Sequence, residues 1–296
     1  MQDLVLRVPR LPLPGESLLG REFAMFAGGK GGNAAIAAAR LGASPVHMIG
    51  RVGKDSFGDH IVETLTADGV DCTFIQRDPA LGTGIAVPFV FDDGENSIVA
   101  MPRANLAMTA ADAEAARAII VASSVLMVQF EVGMQATAAA MQLARAAGVP
   151  VLLNPAPIAP HDSELLHFAT YLVLNEVEAA AMAPGAGGDH AREATDLLAR
   201  GPVAVVVTLG ADGALLATRE GTVAVPPFAV KAVDSVGAGD AFCAAFALAI
   251  AEQPAGPPDF ARAARFAAAA GALAVTRRGA APSLPQRAEV EALLSL

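Results

Sequence analysis

Cationic side chains are scarce in this chain: 20 lysines and arginines stand against 30 aspartates and glutamates, a formal net charge of −10. That balance argues against nucleic acid and anionic membrane surfaces as partners, because both are held by an excess of positive charge. Cysteine is scarcer still. The two present, Cys72 and Cys243, lie far apart and without metal-ligand spacing, which reads as a reduced, cytoplasmic protein rather than a disulfide-stapled one. Long hydrophobic runs are missing as well. The longest uncharged one, residues 241–251, falls short of the roughly 20 residues that span a bilayer. The opening Met1-Gln2-Asp3-Leu4 has neither a basic start nor an apolar core, so it does not read as a signal peptide.

What is present is a chain of 296 residues, 54% hydrophobic, with much of that fraction carried by alanine. This suits one large α/β domain, or a domain with a small appendage. Two short β-like pieces, residues 4–8 and 22–26, flank the turn Leu13-Pro14-Gly15-Glu16. A glycine-rich loop, Gly28-Gly29-Lys30-Gly31-Gly32-Asn33, leads into a helical run closed by Gly42. Residues 45–53 read as a buried strand and 55–68 as a helix. Residues 84–91 and 97–101 flank Asp92-Asp93-Gly94-Glu95-Asn96 and read as a hairpin.

From about residue 105 the rhythm becomes regular β/α alternation. A helix begins after Thr109, and a second ends at Gly148. Strands are expected over 125–130, 151–154, 171–174 and 203–209, with helices over 176–183 and 189–200. Continuous rather than alternating apolar strands predict a mostly parallel sheet covered by helices on both faces. The early hairpin material does not fit that layer and is expected to form a small sheet over one end.

Ligands in an open parallel sheet bind at the carboxyl ends of its strands. The residues there are Glu131, Asn154, Asn175, Glu176, Glu178, the segment 208–213 and the segment 234–240, a polar and acidic set. It suits a hydroxylated substrate with Mg2+ and a nucleotide. Asn175 and Glu178 stand three apart at a helix start and so share a face, as metal or metal-water ligands would; Asn175 serves equally well as a helix cap. The stretch 208–213 reads as strand, sharp turn and strand, which a plain hairpin also explains. In Asp234-Ser235-Val236-Gly237-Ala238-Gly239-Asp240 three small residues bring bare backbone to the first turn of a long apolar helix, an anion site. Asp240 would repel a bound phosphate, yet a carboxylate beside an anion hole is what takes the proton from an attacking hydroxyl.

These residues carry a resemblance. The chain resembles the PfkB-type carbohydrate kinase family, in its ribokinase branch, over almost its whole length. The glycine loop 28–33 is similar to the family's sugar-binding motif, and 234–240 to its C-terminal signature. Leu153-Asn154-Pro155-Ala156-Pro157 and Asn175-Glu176-Val177-Glu178 are similar too. The resemblance implies a single domain over 1–296, a three-layer sandwich with a β-sheet lid from about 4–26 and 84–101. It implies ATP-dependent phosphorylation of a sugar's primary hydroxyl, D-ribose to D-ribose 5-phosphate, with another furanose (deoxyribose, fructose) or a nucleoside as alternatives. A sugar-binding protein without catalysis is the alternative of another class.

By the same resemblance Asp240 is the general base, and the N–H groups of Gly237, Ala238 and Gly239 form the anion hole. Asp3, Gly29, Lys30, Asn33 and Glu131 hold the remaining sugar hydroxyls. Asn175 and Glu178 organise Mg2+ and phosphate, while Thr208, Gly210 and Gly213 belong to the nucleotide loop. A K+ ion is implied near the anion hole, held by Asp234 and Val236, by carbonyls of Ala274, Arg277 and Gly279, and by Ser283. A homodimer through the lid is also implied.

The chain departs from the family pattern in three places. The apolar strand ending in Gly-Ser-x-Asn that normally stands ahead of the position matched by Asp3 is missing. Either the true start lies upstream, or the sheet lacks a central strand and an asparagine that contacts sugar. Arg103 stands where glycine is usual before Ala104-Asn105, and Ala267 where a polar residue is frequent near the adenine.

Overall fold

The computed structural model describes residues 1–91, 96–158 and 162–296. Residues 92–95 of the expected hairpin turn lie outside the described residues.

Six strands form the larger sheet. Leu126–Val128 (β7), Val151–Leu153 (β8), Tyr171–Asn175 (β9) and Ala204–Thr208 (β10) run parallel, and Ala214–Thr218 (β11) and Gly221–Val225 (β12) extend it antiparallel, in the order β12-β11-β10-β9-β8-β7. Period-two geometry sorts the side chains of these continuous apolar strands to opposite faces. Leu153, Leu172, Leu174, Val205 and Val207 pack on Met134–Ala146 (α5), Glu176–Met182 (α6) and His190–Leu198 (α7). Their neighbours Leu152, Tyr171, Val173, Ala204 and Val206 pack on Ala238–Ala251 (α8), Phe260–Ala274 (α9) and Arg287–Leu294 (α10). Leu152, Leu153 and Leu172 are fully buried, and each such side chain stabilises the fold by about 1.5–3 kcal/mol. The helix α8 is apolar around its circumference because it lies inside, between this layer and a third cluster. Ala267, on α9, is fully buried in the core.

The third cluster belongs to the first part of the chain. Lys30–Arg40 (α1) and Ser56–Ala67 (α2) cover Val46–Gly53 (β3) and Val70–Asp78 (β4), a separate parallel pair. The strand β4 was not anticipated. The expected burial of β3 is corrected: Val46 to Ile49 are only half-buried, because the side of β3 away from β4 has no paired strand among the described residues.

The early β material does form a small sheet, in the order Glu22–Ala27 (β2), Gln2–Arg7 (β1), Ile85–Val90 (β5) and Asn96–Met101 (β6). Strands β1 and β2 pair antiparallel from Gln2↔Ala27 to Arg7↔Glu22. Phe23, Met25, Ile98, Val99 and Met101 remain exposed on this sheet. Between the sheets lie the short helices Ala110–Ala115 (α3) and Arg117–Ala122 (α4); Thr109 and Asp112 cap α3 reciprocally. Among the described residues no helix is long and apolar enough to cross a membrane.

Candidate active site

Three segments meet where the small sheet joins the larger layer. The β1–β2 ladder delivers Asp3 opposite Phe26, and the chain then turns through Gly28 and Gly29 into α1. A side chain at Gly28 would collide with the Asp3 carboxylate, and Gly29 has a left-handed φ of 86°, so both positions need glycine. The backbone N–H of Lys30 donates to Glu131 Oε2 (2.8 Å), which brings the loop after β7 to the first turn of α1. Met1 lies in the same place, its nitrogen donating to the Gly28 carbonyl at 3.0 Å.

Asn33, one turn into α1, is buried and donates from Nδ2 to Asp240 Oδ2 at 2.7 Å. Its Oδ1 is buried and accepts no hydrogen bond from the described residues. A buried amide oxygen without a donor costs about 1–3 kcal/mol, so the arrangement suits a ligand hydroxyl. Asp240 is pushed up to about 6, chiefly by burial; Lys30 and the Asn33 amide pull the other way, and Glu131 and Asp3 add to the rise. Asp3 is likewise pushed up to about 6 by burial. Burial also acts on the Lys30 ammonium, but the carboxylates of Asp240, Glu131 and Glu178 outweigh it and hold the group above its usual value. The carboxylates of Asp240, Glu131, Glu178 and Asp3 thus gather around the one ammonium of Lys30. Cys243, one turn beyond Asp240, is a buried thiol raised by burial, which makes it a poor nucleophile.

The anion turn is built by the loop before α8. Gly237 takes a left-handed φ of 83°, and a Cβ there would lie 3.2 Å from the Ala280 Cα. Around Gly239 there is open space. The N–H of Ala238 donates to the Ser235 carbonyl at 3.3 Å, a turn bond that shapes the loop. The tail holds this loop in place. Val233 and Asp234 N–H both donate to the Val275 carbonyl (2.7 and 3.2 Å), and the Asp234 carboxylate accepts from Val236 N–H (3.0 Å) and Gly279 N–H (2.9 Å). Of the residues assigned to a monovalent ion, Asp234, Val236 and Gly279 are tied together by these bonds, while Ala274 ends α9 and Arg277 and Ser283 follow it on the same segment. Their carbonyl and hydroxyl oxygens are the hard donors that such an ion takes. The Ser283 hydroxyl donates to the Ala280 carbonyl at 2.8 Å.

Thr208 pairs with Asn175 at the ends of β10 and β9. Asn175 and Glu178 form a reciprocal capping box: Glu178 N–H donates to Asn175 Oδ1 (2.8 Å) and Asn175 N–H to Glu178 Oε2 (2.9 Å). The cap reading of Asn175 is thus the one the geometry shows, and one oxygen of Glu178 stays uncommitted by the box. Burial raises the Glu178 carboxyl, with the Asn175 N–H and Lys30 opposing. Gly210 (φ 55°) and Gly213 (φ 91°) frame the turn between β10 and β11, and a side chain at Gly213 would strike the Val225 carbonyl.

The model of the pfkB family carbohydrate kinases matches residues 1–287. The chain belongs to the pfkB family of carbohydrate kinases. This pfkB kinase is 38% identical to the ribokinase of Bacillus subtilis over 293 residues, 99% of this chain and 96% of that protein. It is 34% identical to the deoxyribokinase of Salmonella typhi, covering all of this chain and 96% of the relative. Among solved structures, the ribokinase of Thermotoga maritima superposes with a TM-score of 0.89 at 32% identity, covering 100% of this chain and 96% of the other. Arabidopsis thaliana ribokinase complexed with ribose and ATP superposes at 0.88 and 31% identity, with the same coverage.

One residue of the kinase's site region was not anticipated from the sequence, and another gains a contact that the sequence did not show. Arg40, at the end of α1, donates to both oxygens of Asp68 (2.6 and 2.9 Å) and to the carbonyls of Ala281 (2.7 Å) and Leu284 (3.1 Å). Asn105 accepts from Gly133 N–H at 3.2 Å, tying the segment after the small sheet to the loop that carries Glu131. Arg40 stands in no motif, so only its long-range contacts reveal it; Asn105 was singled out with Ala104 in the sequence, but not its bond to Gly133. Arg103, just ahead, has a φ of 47° and donates to the Thr83 carbonyl at 3.0 Å.

Proposed function

We propose that the chain transfers the γ-phosphoryl group of ATP to the primary hydroxyl of D-ribose, giving D-ribose 5-phosphate. The observation that carries this is the buried Asp240, bonded on one side to an asparagine with an unused acceptor and set on the other in the first turn of a helix that opens on Gly237. A sugar hydroxyl reaching Asp240 gives up its proton to the carboxylate as its oxygen attacks the γ-phosphorus. The bond from that phosphorus to the bridging oxygen breaks, and ADP leaves. Asp3, Gly29, Lys30, Asn33 and Glu131 position the remaining hydroxyls, and the N–H groups of Gly237 and Gly239 face the charge on the moving phosphoryl group, while the Ala238 N–H, bonded to the Ser235 carbonyl, shapes the turn between them. Positioning and charge stabilisation supply most of the catalysis in such transfers.

Thr208, Gly210, Gly213 and Asn175 hold the nucleotide in this reading. Mg2+ would be held through Glu178, with water and phosphate oxygens completing its shell, and would neutralise phosphate charge. A K+ ion would sit between Asp234, Val236 and the loop 274–283 and hold that loop against the anion turn. The exposed apolar side chains of the small sheet suit a second copy of the chain, a homodimer through the lid. Both cysteines are unpaired, in keeping with a cytoplasmic setting.

ATP-to-ADP turnover with Mg2+ and K+, measured against ribose, deoxyribose, fructose and a nucleoside, tests the reading. Ribose should give the highest kcat/KM. A clear preference for deoxyribose would move the assignment to the other activity found among the relatives, and turnover with none of them would overturn it.

A further inference from the structure

The strand that carries Asp3 is bonded from behind to α2, a helix that bears none of the proposed site residues. Neighbouring residues of a strand point to opposite faces, so Gln2 and Asp3 leave β1 in opposite directions. Gln2 is fully buried. Its Nε2 donates to the Phe26 carbonyl on β2 at 2.7 Å, which leaves its amide oxygen as an acceptor on the side of α2. His60, half-buried in the middle of α2, meets that oxygen with Nδ1 at 2.8 Å. An amide oxygen cannot donate, so the imidazole proton of this bond stands on Nδ1.

The helix is a firm mount. Ile61 and Leu65 bury it in the third cluster, and its cap, Asp55, accepts from the N–H of Thr83 at 2.8 Å and from the Thr83 hydroxyl. Thr83 is fully buried and leads into β5. That strand pairs with β1 at Gln2↔Ile85 and Asp3↔Ala86, and Gln2 N–H donates to the Gly84 carbonyl at 2.8 Å. The helix thus grips this strand pair twice beside Asp3, through His60 on β1 and through Asp55 on the approach to β5. The Asp3 carboxyl itself is acted on by burial and by neighbouring charges, and it takes no hydrogen bond from the described residues. Its place is set by the strand that carries it.

We propose that His60 is a positioning residue of the sugar site, which through Gln2 fixes the end of β1 and so sets where the Asp3 carboxylate meets a sugar hydroxyl. The inference rests on the reading of Asp3 as a sugar ligand. Removing the Nδ1 donor leaves a buried amide oxygen without a partner and frees the strand end, and Asp3 moves with it. The effect is confined to the sugar side, because Asn33 and Asp240 are bonded to each other on α1 and α8 and the turn at Gly237 is held by the tail of the chain.

The test compares the full chain with His60→Leu, which removes the donor, and with His60→Asn, whose side-chain N–H reaches the place of Nδ1. The readouts are ribose affinity by calorimetry and the separate KM values for ribose and MgATP. His60→Leu should weaken ribose binding and raise its KM by roughly three- to tenfold, the scale of one buried hydrogen bond, and leave the KM for MgATP within about twofold. His60→Asn should recover most of the loss. Unchanged ribose constants, two KM values that rise together, or no recovery with asparagine would each overturn the proposal. Should His60→Leu fail to fold, imidazole nitrogen spectra of the parent at about pH 8.5, where the ring is neutral, decide the matter. The proton should stand on Nδ1 and its signal should shift when ribose is added; an Nε2 proton or an unmoved signal would overturn the inference. Asp3→Asn separates the two readings. If it leaves ribose affinity unchanged, the assignment of Asp3 falls and the role of His60 with it; if it weakens ribose binding and His60→Leu does not, the role of His60 falls alone.

Discussion

Asn33 and Asp240 stand 207 positions apart in the chain and share a buried hydrogen bond of 2.7 Å between α1 and α8. That bond favours the charged form of the aspartate. Replacing Asn33 with Ala should therefore move the acid limb of kcat/KM to higher pH. It should also lower kcat/KM for sugar at neutral pH by roughly 10- to 100-fold, the scale of one hydrogen bond to a charged group. An unshifted acid limb would show that the bond does not hold in solution.

With Asp240 as the proposed general base, kcat/KM should fall as pH drops through about 6. Stability has the opposite sign. A folded-state value of about 6 above an ordinary 3.8 means that the native state binds the extra proton between those values, so stability declines as pH rises through that window. Asp240→Asn removes that burden. The variant should lose roughly 100- to 10,000-fold in turnover and yet melt higher than the parent at pH 7.5 by calorimetry. A lower Tm would contradict the penalty assigned to the buried charge.

Arg103 occupies a left-handed backbone conformation, φ 47°, that costs a non-glycine residue about 1 kcal/mol or more. Arg103→Gly gives up one bond to the Thr83 carbonyl but relieves the backbone, and the Tm should rise by roughly 2–4 °C for each kcal/mol gained. A fall in Tm would show that the guanidinium contacts outweigh the strain.

The ion proposed beside the anion turn is tested by exchange. Substituting a bulky organic cation for K+ should reduce turnover, while sugar binding measured by calorimetry stays close to its original affinity. Asp234→Ala frees the N–H groups of Val236 and Gly279 and should abolish the difference between the two cations. Turnover indifferent to the cation in the parent enzyme would remove the ion from the mechanism.

Charge placed on the small sheet tests the homodimer. Val99→Lys and Phe23→Lys alter exposed positions, so each chain should fold normally, while sedimentation should shift from dimer to monomer. A parent chain that sediments as a monomer at all concentrations would end that proposal.

Much of this was legible because the physics is local. Continuous apolar strands such as Leu172–Leu174 announce a layer covered on both faces, and positions such as Gly29, Gly213 and Gly237 are glycine for steric reasons that a sequence displays. β4 escaped notice because Val70-Asp71-Cys72-Thr73-Phe74-Ile75 mixes polar and apolar residues on a half-covered surface. β3 looked fully buried because Val46, Met48, Ile49 and Val52 are apolar, whereas one of its edges faces a cavity. The capping box of Asn175 and Glu178 could be read from spacing, but not whether cap or metal takes the oxygens. Arg40 has no local signature, since its partners lie 28, 241 and 244 residues away.

That guanidinium has a mechanical consequence. By joining α1 to Asp68 at the end of α2 and to the carbonyls of Ala281 and Leu284, Arg40 anchors the helix bearing Lys30 and Asn33 to the segment that packs against the turn at Gly237. The helix is a fixed post. Any swing of the β2-β1-β5-β6 sheet would then bend the chain at Gly28–Gly29, between residues 78 and 85 and between residues 101 and 103, where that sheet joins the rest of the fold, carrying Asp3 through the arc while Asn33 and Asp240 keep their spacing.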